Sequence, residues 1–158
     1  MIEPRFADLP EMDLVGLTVS AYPIGHPQND PTLIPELWDF LMQLLIATDF
    51  EVDGPMYGAS IMDGETMNYL AGFAVGADWT GNEFPSVETW LLPASRYAIF
   101  EHRGTLDRFP STMDEIFNQW LPASGLKTGP SPCLEIYDQR FVAGSPESVF
   151  EIAVPVEG

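Results

Sequence analysis

Apolar positions recur along the chain with two different periods, and the switches between them predict the elements. Val15-Gly16-Leu17-Thr18-Val19 alternates as a first strand, and Ala21 to Asn29 is a loop containing Gly and Pro. Asp30 suits a helix cap with Pro31 at the first helical position, and the helix runs to about Thr48. Leu33, Leu37, Phe40, Leu41, Leu44 and Leu45 recur at helical spacing and form its core face. Pro35 falls in the first turn, where a missing N–H is tolerated. Met56 to Met62 and Thr66 to Val75 read as two strands joined by a two-residue hairpin turn at Asp63-Gly64.

Ala77 to Ser86 reads as a linker, after which the pattern resumes. Val87 to Leu92 and Tyr97 to His102 are strands, and Leu106 to Leu121 is a helix with Met113, Ile116, Phe117 and Trp120 facing inward. Pro110 delays its regular part to near Ser111, and Gly125 fits the left-handed position after its end. Two further strands are split by a loop from Asp138 to Pro146. Gly54-Pro55-Met56-Tyr57-Gly58-Ala59 matches Ser131-Pro132-Cys133-Leu134-Glu135-Ile136 in position, and Tyr69-Leu70-Ala71-Gly72-Phe73-Ala74 matches Val149-Phe150-Glu151-Ile152-Ala153-Val154. The expectation is an α+β fold made by tandem duplication of a strand-helix-strand-strand unit. Repeat 1 covers about 1–76 and repeat 2 about 87–158, within one domain of 158 residues. A helix covers one face of each antiparallel sheet, and the other face needs burial against the sister unit, with the helices outside.

Composition sharpens this picture. Hydrophobic residues make up 46% and aromatics 12%, enough for a core. Six basic residues against 24 acidic ones give a formal charge of −18. Such a surface repels nucleic acid and anionic membranes and attracts cations; it also serves solubility, as in a salty habitat. The single cysteine, Cys133, excludes an intramolecular disulfide, fits a reducing cytoplasm and reads as an inert buried residue. Met1-Ile2-Glu3-Pro4-Arg5 lacks the basic and apolar regions of a signal peptide, and no apolar run reaches membrane-spanning length. His26 and His102 have no companion at metal-ligand spacing, so no metal or cofactor is expected.

The chemistry resides in two acidic residues set in apolar strands, Glu135 in Cys133-Leu134-Glu135-Ile136-Tyr137 and Glu151 in Val149-Phe150-Glu151-Ile152-Ala153-Val154. A carboxylate there is costly unless solvated, paired or used. Three phrases sit around them: Tyr97-Ala98-Ile99-Phe100-Glu101-His102-Arg103-Gly104, Trp120-Leu121-Pro122-Ala123-Ser124-Gly125 and Glu135-Ile136-Tyr137. Together with Leu37-Trp38-Asp39-Phe40 and Tyr69-Leu70-Ala71-Gly72, they resemble the gyrase-inhibitor-like small-molecule-binding family, the effector-binding domain of several bacterial transcription activators.

The resemblance implies two units related by pseudo-two-fold symmetry with a ligand groove between them. It also implies hydrophobic or cationic drug- or toxin-like ligands, with a groove glutamate that recognises the cation. Alternation puts Cys133, Glu135 and Tyr137 on one strand face and Leu134 and Ile136 on the other. Packing the aliphatic pair under the helix directs Glu135 and Tyr137 to the groove. The same reasoning puts Phe150, Ile152 and Val154 under the helix and directs Val149, Glu151 and Ala153 to the groove. Gly58 and Ala71 correspond to Glu135 and Glu151 and leave space for a ligand, while Tyr69 and Phe73 flank Ala71 and Trp38 borders the groove. Other readings stay open: Glu135 at a wet sheet edge or paired with Arg140 or Arg103, and Trp38 in the core.

Three functions follow from the resemblance. The leading one is a stand-alone cytoplasmic protein that senses or sequesters a small molecule. The second is a hydrolase that opens a strained, cyclopropane-type electrophile with Glu135 and Glu151 as groove carboxylates. The third is a modulator that engages DNA gyrase. Relatives that carry a DNA-binding helix-turn-helix place it before this module. The chain has no such segment and its acidity opposes DNA contact, so neither DNA nor a membrane is an expected partner.

Overall fold

The computed structural model describes residues 2–81 and 87–157. In chain order the elements are β1 (Arg5–Leu9), β2 (Met12–Ala21), α1 (Leu33–Thr48), β3 (Met56–Asp63), β4 (Thr66–Val75), β5 (Glu88–Leu92) and β6 (Ser95–Arg103). A 3-10 turn (Leu106–Arg108) leads into α2 (Phe109–Asp114), a π-helical stretch (Glu115–Trp120) and α3 (Leu121–Ser124), followed by β7 (Lys127–Thr128), β8 (Cys133–Tyr137) and β9 (Val149–Glu157). The chain divides into two compact units. One, here the central unit, is Met12–Leu92; the other, the terminal unit, joins Met1–Glu11 to Pro93–Gly158. Asn82 to Ser86 of the expected linker lie outside the described residues.

The central unit is an antiparallel sheet in the order β3-β4-β2-β5 with α1 on one face. Leu41 and Leu45 are its buried helix positions, joined by Ile34, Leu37, Trp38 and Leu44 over Val15, Tyr69, Ala71 and Phe73. Phe40, expected on the core face, is 69% exposed, because the apolar stripe runs through Trp38 instead. Asp30 acts one turn before the helix: its carboxylate accepts from the Thr32 N–H at 3.0 Å and the Thr32 hydroxyl at 2.7 Å. These bonds hold the Asp30 carboxyl below its ordinary range. Thr32 occupies the cap position itself. At the other end Asp49 adopts φ 56°, a left-handed conformation that aspartate tolerates. It turns the chain so that the Phe50 N–H donates to the Leu45 carbonyl. The hairpin turn sits one residue later than expected, at Gly64-Glu65, since Asp63 still pairs with Thr66. Gly64 supplies the φ of 67° that such a turn needs.

The terminal unit is an antiparallel sheet in the order β1-β6-β9-β8, with β7 also on β9. Ile116 is the fully buried helical position, and Phe109, Met113, Phe117 and Trp120 pack with it on Phe100, Phe150, Ile152 and Val154. Pro110 stands in the first turn of α2, and Gly125 closes α3 with φ 76°, as expected. Both units run strand-helix-strand-strand, but each sheet has a further edge strand. β5 pairs with β2 in the central unit, and β1 pairs with β6 in the terminal unit.

His102 fixes the helical segment to β6. It is 2% exposed, with Nε2 3.0 Å from the Thr105 carbonyl and Nδ1 2.8 Å from the Thr112 hydroxyl. A carbonyl only accepts, so Nε2 carries the proton and the Thr112 hydroxyl donates to Nδ1 in the neutral ring. The ring also meets Phe109 and Phe150. His102→Phe keeps the packing but removes both ring hydrogen bonds, and is expected to cost about 2 kcal/mol. The check is a urea titration at pH 7; an unchanged midpoint would show that ring packing alone matters.

Candidate functional site

On β8 and β9 the register decides which face each side chain takes. Glu135 lies opposite Ile152, while Leu134 lies opposite Ala153 and Ile136 opposite Glu151. Residues opposite one another in a ladder share a face. Cys133, Glu135 and Tyr137 therefore point to the helix-bearing side, with Phe150, Ile152 and Val154. Cys133 and Tyr137 indeed pack in that helix-side cluster. This corrects the face expected for Glu135 and Tyr137. Alternation says which residues go together but not which way they point, and here both faces are apolar: Leu134 and Ala153 are buried too.

Glu135 is half-buried, and the Tyr137 hydroxyl donates to its Oε1 at 2.6 Å. Tyr137 is held by stacking on Phe150, with ring centroids 4.8 Å apart and planes at 26°, and by an edge contact to Phe141 at 4.8 Å. The result is a carboxylate whose direction is set by an anchored tyrosine hydroxyl. Its charge reaches Cys133, whose thiol is pushed up to about 11, first by burial and then by Glu135. Cys133 is therefore protonated at neutral pH, which matches the inert residue expected. Burial likewise pushes Tyr97 up to about 12; its hydroxyl donates to the Pro132 carbonyl at 2.9 Å.

In the central unit Trp38, Gly58, Tyr69, Ala71 and Phe73 come together on the helix-bearing face. Gly58 lies opposite Ala71, and Tyr69, Ala71 and Phe73 pack under Leu41 and Leu45 of α1. The expectation had put Tyr69, Ala71 and Phe73 on the face away from the helix, and the reason for the difference is the same. Trp38 donates its indole N–H to the Tyr69 hydroxyl at 2.9 Å, so these two expected ligand residues form one hydrogen-bonded aromatic pair.

Glu151 stands apart. It shares its face with Ile136 and Glu101, opposite to Glu135. Only 8% exposed, it accepts two hydrogen bonds from Arg5 at 3.0 and 3.2 Å, and Arg140 lies 3.6 Å away. Arg140 also reaches Glu101 at 3.3 Å and binds Asp138. Side-chain hydrogen bonds from Arg140 hold the Asp138 carboxyl below its ordinary range. An alternative reading paired Glu135 with Arg140 or Arg103; the former serves Glu151 and Glu101, and the latter pairs with Glu101. Among the described residues no group of three or more His, Cys, Asp or Glu is placed to hold a metal ion. Nor is any helix there long and apolar enough to cross a membrane.

The family model described as the GyrI-like small molecule binding domain matches residues 2–157. A transcriptional regulator of Pseudomonas aeruginosa, BrlR, is 28% identical over 160 residues, covering 96% of this chain and 54% of the regulator. The chain thus spans about half the length of that relative. Among solved structures, SAV2435 bound to tetraphenylphosphonium superposes with a TM-score of 0.79 at 19% identity, covering 99% of this chain and 95% of that one. A putative transcription regulation protein from Staphylococcus aureus MU50 gives a TM-score of 0.75 at 20% identity over the full length of both. At these identities the structural likeness establishes the fold.

Proposed function

The chain belongs to the GyrI-like small molecule binding domain family, and we propose that it captures a hydrophobic cation through the Glu135 carboxylate. The observation that carries this reading is the Tyr137–Glu135 hydrogen bond of 2.6 Å on an aromatic, helix-bearing face. A carboxylate fixed beside an aromatic cluster suits an organic cation, because charge and quadrupole attract it together. Glu151 is assigned to the Arg5–Arg140 network, not to the ligand. The net charge of −18 favours cations over phosphates, so the expected role is recognition of a compound without contact to DNA.

The test uses tetraphenylphosphonium as probe and triphenylmethanol as a neutral aryl control, followed by calorimetric titration. Glu135→Gln keeps the shape and removes the charge. It is expected to weaken the phosphonium about tenfold, equivalent to about 1.4 kcal/mol, while leaving the alcohol nearly unchanged. Equal phosphonium affinity in both proteins would reject Glu135 as the recognition group. Following the probe by chromatography during the same titration separates capture from turnover.

A further inference from the structure

The central unit contains no Lys or Arg, although half of the chain's 24 acidic residues lie within it. All six basic residues lie in the terminal unit. On the central unit, two chain segments converge where regular elements end. Phe50-Glu51-Val52-Asp53 follows the left-handed turn at Asp49, and Gly76-Ala77-Asp78-Trp79 follows β4 in a turn closed by the Trp79 N–H on the Gly76 carbonyl at 3.1 Å. Between them is an open depression of about 360 Å³, lined by Phe50, Phe73, Trp79, Glu51, Asp53 and Asp78. Phe73 is buried at the root of an aromatic cluster, where Phe50 stacks on it at 5.3 Å. Trp79 stands edge-on to both, at 5.9 Å from Phe50 and 6.0 Å from Phe73. The three carboxylates are exposed, and no ion pair among the described residues reaches them.

We propose that this depression is a second binding site, which takes a small alkylammonium or quaternary ammonium ion. Aromatic walls exclude a strongly hydrated metal ion, and the unrelieved negative field disfavours anions. A neutral compound would leave the carboxylates unused. The volume suits one small organic cation, near the lower end of ligand pockets. Every described lining residue is in the central unit, so the site does not rest on the Glu135 reading, and the two can fail separately.

The experiment is an NMR titration of the whole chain with choline, using 3,3-dimethylbutan-1-ol as the uncharged isostere. The Trp79 indole resonance, identified by its loss in Trp79→Phe, is expected to shift saturably with choline and much less with the alcohol. The double change Asp53→Asn with Asp78→Asn, at exposed positions that leave the core intact, is expected to weaken choline at least about fivefold. Glu135→Gln should leave this response as it is. A Trp79 resonance unmoved by choline, an equal shift with the alcohol, or full affinity in the double asparagine variant would each overturn the proposal. Choline binding that moves other resonances and disappears with Glu135→Gln would overturn it while upholding the first site.

Discussion

Gly72→Ala is expected to destabilise the protein by about 3 kcal/mol, and Gly16→Ala to do the same. The two glycines lie opposite one another in the β2–β4 ladder. A Cβ on Gly72 would stand 1.9 Å from the Val15 carbonyl oxygen and 2.7 Å from its carbon. On Gly16 it would stand 2.0 Å from the Ala71 carbonyl oxygen. Neither glycine has a positive φ, so the requirement is space, not backbone freedom. The obstructing atoms are backbone, and only separation of the two strands can relieve the clash. These strands carry Val15 and Ala71, fully buried members of the central core, so separation opens that core. In a domain of this size the loss corresponds to a melting midpoint lower by about 10 °C. A midpoint within about 1 °C of the parent would mean that the strands are not so closely apposed.

The second large effect concerns Glu151. Glu101 and Glu151 face each other across the β6–β9 ladder, an arrangement that repels unless cations intervene. Arg5 and Arg140 supply them. Removing both, as Arg5→Ala with Arg140→Ala, leaves a nearly buried carboxylate uncompensated. The expected cost is about 3 kcal/mol, at the low end for a broken buried pair because both guanidinium groups are partly exposed. Adding Glu151→Gln to that double variant should recover much of the loss, since the amide carries no charge to repel Glu101. Urea titrations of the parent, double and triple variants at pH 7 provide the check. No recovery in the triple variant would mean that the arginines act through packing of their aliphatic stems.

The regular elements were legible where the signal is local. The bounds of β4, the end of α1 at Thr48 and the left-handed Gly125 follow from periodicity and stop residues within a few positions. β5 follows as well, within the strand expected at Val87 to Leu92. The strand β1 carries a weaker signal: it is five residues long and mostly exposed, and its membership in a sheet depends on β6, a partner distant in sequence. The candidate site was half legible. The pairing of Glu135 with Tyr137 is an i, i+2 relation on one strand and can be read directly. Which side of the sheet the pair takes depends on Ile152, in another strand. Glu151 shows the limit most plainly, since its hydrogen-bond donor Arg5 is 146 residues away. The Phe50–Phe73–Trp79 cluster escaped for a similar reason: it assembles from the ends of elements, where no period marks it.

The assignment of β1 to the terminal unit has a consequence for how the chain matures during synthesis. The central unit is a continuous segment, and the β2–β4, β3–β4 and β2–β5 pairings can all form once Leu92 has been made. Of the strands described, the terminal unit holds the first to emerge and the last. β1 has no partner until Ser95–Arg103 follows. β9, which pairs with β6, β7 and β8, is the last of these strands to be made. Until it arrives, Phe100 and Ile116 have no sheet to close over them, and β1 presents an open edge with the half-exposed Phe6 beside Arg96. The long loop that must close makes this unit the slower to form and the longer exposed to misassociation. The central unit, complete by then, is strongly anionic and holds no Lys or Arg, a charge that opposes association of nascent copies during that interval.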